Sequence, residues 1–443
     1  MKKNLLLLEL NECDFSFFLR GSQKYKFPAI KTFLKKKKVA TFTRDKKEGL
    51  NLDPWVQWVS VHTGAHSAIH KTYRIGQKLN FKINQVWDVL SKKNLKSTIW
   101  GAFNANLRNK KNIDLFFPDP WSFTQKAYPI SFNDYLKLPS YYAQNYPTCD
   151  LSKLVKYGFL FFRRIVLSSI FFYLLKNSTS ICYFFLKSNF KSFNLYFFLD
   201  LVSLLLIRNS LRVKKSDFVI IAMNCFAHYQ HNFWDEKKNE YIYFWYLNEI
   251  IKILNEIELS YQSTIVFNGF SQKKIKTEFH IRPKNTDVFL DILKIDYQAA
   301  RPNMTSGATI FFESKKKKRD AINKLTSVKI FDYPFFEIEN YKNKNVIFYK
   351  CNLVLKKKVK SIFELNKKNY KSFFQEPIKK ITSSNILDNK LLNEIFENLF
   401  FIKSTSRHKP SGLLFSKGPV VFKKTGKRIL NQNIFFSIID YFN

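Results

Sequence analysis

The sequence predicts an α/β fold, a three-layer α/β/α sandwich with a mostly parallel central sheet. Short apolar runs bounded by polar residues or glycine recur along the chain, as expected for strands buried on both faces of a parallel sheet. Between them lie longer segments with helical periodicity, and this alternation is typical of an open sheet covered by helices on both faces. The 443 residues, 46% of them hydrophobic, are enough to build such a core.

Five apolar runs are the predicted strands, and two longer segments carry the clearest helical patterns. The predicted strands are Asn4–Leu10, Ser97–Gly101, Phe218–Met223, Thr264–Phe267 and Leu413–Ser416. The predicted helices are Lys237–Ser260 and Gln432–Tyr441. In the first run, Glu9 and Glu12 interrupt the apolar sequence before it reaches the length of a signal-peptide core, which indicates a buried first strand.

The region 151–212 has a different pattern, because strongly apolar segments alternate with lysines and arginines and contain Asp200. No charge-free stretch reaches the ~18 residues that a membrane span requires. We therefore expect a helical insertion that does not cross a bilayer. Two interpretations stay open, a cap packed over the sheet and an amphipathic membrane-surface patch with a basic rim.

These patterns divide the chain into five segments. They are the N-terminal part of the core (1–150), the helical insertion (151–212), a continuation of the core (213–313), a Lys-rich peripheral subdomain (314–395) and the C-terminal part of the core (396–443).

The formal net charge of +40 accompanies an abundance of Lys, Asn, Ile, Phe and Tyr, a joint bias typical of an AT-rich genome. We therefore interpret most of the charge as a solvated surface, with a functional basic surface as the alternative. No RNA-binding or helix-turn-helix signature accompanies the lysine runs, so a nucleic-acid partner is not expected. Five scattered cysteines lack the spacing of a zinc ribbon or a disulfide framework. They predict free thiols and a cytoplasmic location, peripheral to the inner membrane if the insertion contacts lipid.

Four polar blocks contain the candidate functional residues. They are Asn51–Gln77, Phe218–Asp235, Thr264–Gln272 and Ser404–Val421. In the second block, His228 and His231 are three residues apart and can face one metal from adjacent helical positions. Imidazole ligands suit Zn or Mn. The alternative is a pair of ordinary surface or core histidines.

The four blocks, in this order, resemble the alkaline-phosphatase superfamily. The matching residues are Trp58, Ser60, Thr63, Gly64 and His70; Gln230, His231, Phe233 and Trp234; Gly269 and Phe270; and His408, Gly412, Gly418 and Pro419. The resemblance implies a metal-dependent enzyme that acts on phosphate or sulfate esters. Three positions depart from the family: Asp53-Pro54-Trp55 has no hydroxyl where the nucleophile is expected, Ala227 replaces an Asp ligand, and Phe267-Asn268 replaces an Asp-His ligand pair.

The remaining candidate ligands could hold at most one divalent cation, Zn or Mn. The end of the first strand offers Glu9, Asn11 and Glu12, and alternation places Glu9 and Asn11 on the same face. The predicted metal ligands are Glu9, Asn11, His228, His231 and His408. We expect them to converge at the carboxyl edge of one sheet.

Catalytic and substrate-binding candidates come from the same blocks and from a strand end. Asp53 is the nearby group able to attack or act as a base, and a helix N-cap is its alternative role. Asn104, Asn106 and Arg108 follow a predicted strand end, where open α/β sheets bind ligands, and loop capping is their alternative role. Asn268 and Gln272 complete the predicted substrate-binding set.

The sequence thus predicts a hydrolase or transferase that acts on a phosphate or sulfate ester, with a surface glycan or lipid-linked sugar as the expected carrier. The substrate class rests on the family resemblance alone. The alternative is a catalytically inactive relative that binds a glycan or a protein partner. Because the front of the helix at 54–64 lacks a hydroxyl, we expect no covalent intermediate on Ser60 or Thr63.

Overall fold

The computed structural model describes residues 3–45, 52–146, 148–166, 168–304, 306–330, 333–341, 344–360 and 389–443. Within these residues the chain forms two compact units. Unit 1 comprises residues 1–141, 151–274 and 406–443, and unit 2 comprises 142–150 and 275–405. The described residues of the subdomain predicted at 314–395 fall within unit 2.

The helices of the described residues number sixteen. They are α1 (Ser16–Lys24), α2 (Pro28–Phe33), α3 (Pro54–Thr63), α4 (Ser67–His70), α5 (Val86–Lys92), α6 (Asn133–Asn145), α7 (Leu151–Val166), α8 (Ser169–Lys176), α9 (Ser178–Lys187), α10 (Ser192–Val213), α11 (Cys225–Phe233), α12 (Glu240–Glu258), α13 (Thr286–Ile292), α14 (Lys315–Ser327), α15 (Asn389–Glu397) and α16 (Asn433–Phe442). Two 3₁₀ turns cover Ile130–Phe132 and Lys237–Asn239.

Eighteen strands occur in the same residues. They are β1 (Leu5–Leu10), β2 (Lys37–Phe42), β3 (Ser97–Trp100), β4 (Ile113–Phe117), β5 (Phe218–Met223), β6 (Ser263–Phe267), β7 (Ser271–Pro283), β8 (Ala299–Pro302), β9 (Gly307–Phe311), β10 (Lys329–Ile330), β11 (Tyr333–Pro334), β12 (Phe336–Tyr341), β13 (Val346–Cys351), β14 (Val354–Leu355), β15 (Leu399–Lys409), β16 (Ser411–Lys417), β17 (Lys424–Thr425) and β18 (Arg428–Leu430).

Unit 1 is built on a nine-stranded sheet in the order β17-β18-β2-β16-β6-β1-β5-β3-β4. The five strands from β6 to β4 are parallel to one another, and β16 is antiparallel to both of its neighbours. The predicted fold class is confirmed, because this sheet is mostly parallel and central. All five predicted strands are present, while β2, β4, β17 and β18 were not predicted.

Alternation along β1 separates the two faces of the sheet. Leu6, Leu8 and Leu10 belong to a core cluster with residues of α1, α2 and α7–α12. On the other face, Glu9 meets His62 of α3, Trp58 of α3 packs edge-on against the ring of Phe267, and α16 contacts α3 and α5. Helices therefore cover both faces, as in the predicted three-layer sandwich.

The insertion at 151–212 folds as four helices, α7 to α10. Among the described residues, α10 is the helix long and apolar enough to cross a membrane by length and composition. Nine of its side chains are buried, including Leu201, Val202 and Leu205 in the core beside α12. It therefore packs as a core helix here, and the prediction that the insertion does not span a bilayer stays a prediction.

Unit 2 contains a four-stranded antiparallel sheet in the order β12-β13-β9-β8 and a three-stranded sheet in the order β14-β7-β15. Its core is formed mainly by aliphatic and phenylalanine side chains of α13, α14, α15 and these strands. Gly307 is required at its place in β9, because a Cβ there would lie 2.0 Å from the carbonyl oxygen of Tyr349 on β13.

Candidate metal centre

Three side chains converge where β1, β5 and β15 deliver polar residues to one region of unit 1. Glu12 lies two residues after the end of β1, His231 lies on the helix that follows β5, and His408 is near the end of β15. Glu12 Oε2 is 2.8 Å from His231 Nε2 and 2.8 Å from His408 Nε2, and the two Nε2 atoms are 3.3 Å apart. Among the described residues, this is the group whose ligand atoms all lie within 4.8 Å of one another.

The backbone at Glu12 is held in an uncommon conformation. Its φ is +55°, in the left-handed region that a non-glycine residue adopts only at a cost of ~1–2 kcal/mol. Two hydrogen bonds fix it: the Glu12 N–H donates to the Asn268 carbonyl at 3.1 Å, and Gln230 Nε2 donates to the Glu12 carbonyl at 3.0 Å. The conformation turns the Glu12 side chain away from the strand and toward the two histidines.

Neighbouring amides fix the Glu12 carboxylate. Gln272 Nε2 donates to Oε2 at 2.6 Å, and Asn11 Nδ2 donates to Oε1 at 3.1 Å. Asn11 is itself held by Trp58, whose indole N–H donates to Asn11 Oδ1 at 2.7 Å. Asn11 therefore positions Glu12, and its own oxygen is occupied by Trp58.

Hydrogen bonds at the far ring nitrogens set the tautomers of both histidines. Ser406 Oγ donates to Gln272 Oε1 at 2.6 Å, so it accepts from the Nδ1–H of His231 at 3.2 Å. His408 Nδ1 donates to the carbonyl of Leu52. With Nδ1 carrying a proton in each ring, both Nε2 atoms face Glu12, an arrangement typical of metal-binding imidazoles.

The electrostatics of the cluster favour a cation between the three groups. Burial alone would raise the pKa of Glu12, but His408 and His231 hold it well below its usual range. Burial alone would lower the pKa of His408, but Glu12, together with Asp53, raises it to about 8. A carboxylate and a protonated imidazole thus share a site where a divalent cation can replace the proton.

The donor set fits one divalent cation. Tetrahedral coordination with bonds of ~2.0–2.1 Å places ligand atoms about 3.3 Å apart, close to the 2.8–3.3 Å seen here. Two imidazoles and one carboxylate leave further coordination positions open, as in catalytic zinc centres, and the same set is used for Mn and for Fe(II). The His231 side chain is 31% exposed and that of His408 17%, so solvent reaches the site.

Two predicted ligands lie elsewhere. Glu9 is inside β1 on the face toward α3, where its Oε1 is 2.6 Å from His62 Nε2 and both side chains are buried.

His228, the second of these residues, lies one turn before His231, with its ring stacked on Tyr196 at 3.8 Å between centroids. Burial and the nearby His231 lower the pKa of His228 to about 4, against a smaller opposing effect of Glu12. Its Nε2 is 3.2 Å from Asn224 Nδ2.

The predicted substrate-binding residues fall into two groups. Gln272 contacts the carboxylate of Glu12, and Asn268 donates to the Cys13 carbonyl at 2.7 Å, supporting the turn that contains Glu12. The other three residues bond to backbone carbonyls. Asn104 donates to the carbonyls of Trp55 and Arg74, Asn106 to that of Asn104, and Arg108 to those of Asn80 and Phe81. These bonds favour the alternative that the three residues hold loops.

Asp53 occupies the N-cap position of α3, yet its side chain makes no capping hydrogen bond. It lies near enough to His408 to contribute to the raised pKa of that imidazole. Because the preceding residue, Leu52, accepts a hydrogen bond from His408, the N-terminus of α3 adjoins the cluster. The backbone dipole of a helix start favours anions.

The hydroxyl groups of α3 are held inside the helix layer. Ser60 is fully buried, and its Oγ is 2.9 Å from His70 Nε2. The Thr72 N–H donates to His70 Nδ1 at 3.0 Å, and burial together with the nearby His66 lowers the pKa of His70 to about 4. The neutral ring therefore donates from Nε2 to Ser60 and cannot act as its base. Thr63 donates to the carbonyl of Val59 at 2.7 Å.

Two residues of the cluster were not predicted from the sequence: Glu12 as a ligand and Ser406 as the residue that supports it. The sequence feature that could have identified Glu12 as a ligand is its position just beyond the last apolar residue of the first strand, where side chains reach the carboxyl edge of a sheet. The feature that could have identified Ser406 is its spacing of two residues from His408, which places both side chains on one face of β15.

No protein-family model matches the chain, and no curated protein matches it. Among solved structures, it is similar to phosphonoacetate hydrolase from Sinorhizobium meliloti 1021 in complex with phosphonoformate, with 8% identity and a TM-score of 0.44 over 99% of this chain and 96% of that one. It is also similar to murine ectonucleotide pyrophosphatase/phosphodiesterase 5, with 10% identity and a TM-score of 0.46 over 100% and 95%.

These neighbours belong to the alkaline-phosphatase superfamily. It is the family that the four sequence blocks resemble. An inactive form of the murine protein has been solved with AMP, at 10% identity to this chain and a TM-score of 0.45. At identities this low and TM-scores under 0.5, the likeness says nothing about activity, so the function depends on the geometry of the site.

Proposed function

We propose that this protein binds one divalent cation through Glu12, His231 and His408 and acts there on a phosphate or sulfate ester. The observation that carries the proposal is the convergence of three ligand atoms within 4.8 Å, with both imidazoles presenting Nε2 to the carboxylate. When bound, the cation would supply Lewis-acid polarisation of an ester oxygen. Zn and Mn are the expected ions.

The residues around the cluster support an anionic substrate. The N-terminus of α3 adjoins His408 through the Leu52 carbonyl, and a helix start favours phosphate or sulfate. Asp53, which lies near enough to His408 to help raise the pKa of that imidazole, is the proposed general base for water. The proposed carrier of the ester, a surface glycan or a lipid-linked sugar, extends the sequence-based hypothesis.

The first test is cation binding by protein purified without chelator. We expect about one Zn or Mn per chain by elemental analysis, and titration calorimetry with Zn²⁺, Mn²⁺, Fe²⁺ and Mg²⁺ should rank their affinities. His231→Ala and His408→Ala should each weaken binding by tenfold or more. His280→Ala, which changes a histidine of unit 2, is the matched control and should bind as the parent does. Equal binding by all four proteins would refute the metal site.

The second test is hydrolysis of phospho- and sulfo-esters with each cation. Asp53→Asn should reduce the rate by about 10²–10⁴-fold if Asp53 is the base, and Ser60→Ala should leave it nearly unchanged, since Ser60 accepts from His70. Mass spectrometry during turnover should detect no phosphorylated Ser60 or Thr63. A trapped phosphoserine or phosphothreonine would instead establish the covalent mechanism that we exclude.

A second candidate function is binding without turnover, in which the same cluster holds a phosphorylated or sulfated glycan or protein partner. The observation that favours it is the internal bonding of the Ser60 and Thr63 hydroxyls, which leaves α3 without an available hydroxyl nucleophile. Cation-dependent binding of inorganic phosphate or sulfate, with no hydrolysis of any ester in the screen, would support this candidate over the enzyme.

A further inference from the structure

The helices α7, α8 and α9 carry an unusual share of the exposed apolar surface. Of the 20 large hydrophobic side chains that are exposed among the described residues, ten lie between residues 151 and 190. Consecutive helices of this group pack against each other. Scattered exposed apolar residues need no explanation, but such a concentration marks an interaction surface.

The exposed residues of α7 form one row along the helix. They are Leu151, Val155, Phe159, Phe162 and Val166. Their spacing of three and four residues places them on a single side, while Phe161 and Ile165 point into the core. Gly158 lies within this row, and a Cβ added there would meet no atom within 4 Å. This side of the helix is thus uncovered in the described structure.

The next helices continue the pattern. In α8, Phe172 is 72% exposed while Ile170 is buried, and in α9, Leu186 is 63% exposed while Phe184 is buried. Phe190, in the turn after α9, is 69% exposed. Each helix therefore keeps one anchoring face in the core and presents a second apolar face outward.

The charge of this stretch has one sign. Residues 151–191 contain seven lysines and arginines and no aspartate or glutamate. Lys153, Lys156, Arg163, Lys176 and Lys187 are exposed. Aromatic and aliphatic rows flanked by basic side chains are the composition of helices that lie in a membrane interface, where anionic lipid headgroups attract the positive charge.

We propose that α7–α9 form a membrane-docking surface, which inserts its apolar rows among the headgroups of an anionic bilayer. This inference does not depend on the cation site. A second copy of the chain is a poorer occupant, because a two-fold symmetric contact would place the exposed lysines of one copy against those of the other. These lysines are Lys153, Lys156, Lys176 and Lys187. Docking at the surface leaves the buried side chains of α10 in the core.

The test is co-sedimentation with vesicles of phosphatidylcholine alone and with 30% phosphatidylglycerol, at low and high salt. We expect binding to the anionic vesicles at least tenfold tighter than to the neutral ones, and weaker at high salt. The variant Phe159→Ser/Phe172→Ser/Phe190→Ser should bind the anionic vesicles at least tenfold more weakly. Lys156→Glu/Lys187→Glu should lose the preference for anionic lipid.

The matched control is Phe81→Ser/Val421→Ser, which removes two exposed apolar side chains outside this surface and should bind as the parent does. Far-UV circular dichroism would verify that each variant folds. Glu12→Gln should also bind vesicles normally, which separates this proposal from the cation site. The proposal is overturned by equal binding of parent and triple-Phe variant, by resistance to carbonate extraction, or by a dimer that the triple-Phe substitution dissociates.

Discussion

At the scale of single residues, the cluster depends on which carboxylate of the first strand faces the histidines. Glu9 and Glu12 are three residues apart, yet they serve different sites. Glu9 lies within β1 and bonds to His62 in the layer of α3, whereas Glu12 lies beyond the strand in a left-handed conformation and meets His231 and His408.

The pair Glu12→Gln and Glu9→Gln tests this assignment. Glu12→Gln removes the charge that the two imidazoles face, so we expect Zn²⁺ affinity to fall by 10–100-fold or more in titration calorimetry. Glu9→Gln should leave that affinity unchanged but lower the free energy of unfolding by about 1–3 kcal/mol, because its buried partner His62 loses a charged acceptor. If Glu9→Gln weakened Zn²⁺ binding as much as Glu12→Gln, the sequence-based choice of Glu9 would be right.

The buried carboxyl of a second residue, Asp119, should make the free energy of unfolding depend on pH. Burial raises the pKa of its carboxyl to about 7, against a smaller opposing effect of the Trp121 N–H, which donates to it at 2.8 Å. In the unfolded chain the value is ~4. At a pH between these two pKa values, the folded state keeps the Asp119 proton and the unfolded chain releases it. The stabilisation that comes from this proton is therefore complete at low pH and is lost as pH rises toward and through 7.

Asp119→Asn keeps the acceptor for Trp121 and cannot ionise. We expect it to be more stable than the parent at pH 8, by on the order of 1–4 kcal/mol, and nearly equal to the parent at pH 4–5. Urea unfolding at the two pH values measures both differences. A difference that does not change with pH would show that Asp119 does not titrate in this window.

At the scale of elements, α11 is fixed in place by the insertion. Asp200 of α10 accepts hydrogen bonds from the backbone N–H groups of Asn224 and Cys225, at 3.0 and 2.9 Å, where α11 begins. Burial raises the pKa of this carboxyl, against the smaller effect of these bonds. The acidic residue that interrupts the apolar sequence of α10 thus caps the helix that contains His231.

Asp200→Ala should remove this cap and lower the free energy of unfolding by about 1–2 kcal/mol. Because α11 then loses a fixed start, we also expect Zn²⁺ affinity to fall severalfold. Asp200→Asn, which retains an acceptor oxygen, is the matched control and should lie close to the parent in both measurements. If Asp200→Ala and Asp200→Asn behaved alike, capping would not be the role of Asp200.

At the scale of the whole molecule, the two compact units can be followed separately by spectroscopy. All seven tryptophans fall in the residues of unit 1, so tryptophan fluorescence reports on that unit, whereas far-UV circular dichroism reports on both. The cation cluster also belongs to unit 1. A ligand that binds the folded state stabilises the unit that holds it, by ~2.7 kcal/mol at a hundredfold excess over Kd.

We therefore expect saturating Zn²⁺ to move the urea midpoint seen by fluorescence to higher urea concentration. Gly307→Ala, which places a methyl group against a backbone carbonyl in unit 2, should move a transition seen by circular dichroism to lower concentration and leave the fluorescence midpoint in place. Coincident shifts of both probes in both experiments would show that the units unfold together.

The layered α/β fold could be predicted from the sequence, because buried strands and the helices that cover them each have a characteristic pattern of apolar residues. The sequence also identified His231 and His408, 177 positions apart, through the blocks that contain them, and the structure places their Nε2 atoms 3.3 Å apart.

That Glu12 faces these histidines while Glu9 does not could be seen only in the folded chain. The reason is that the choice depends on where β1 ends, on a left-handed φ at Glu12, and on two backbone hydrogen bonds of Glu12. Its carbonyl accepts from Gln230 and its N–H donates to the carbonyl of Asn268, and both partners are over 200 positions away in the chain. A local pattern carries no information about such distant partners.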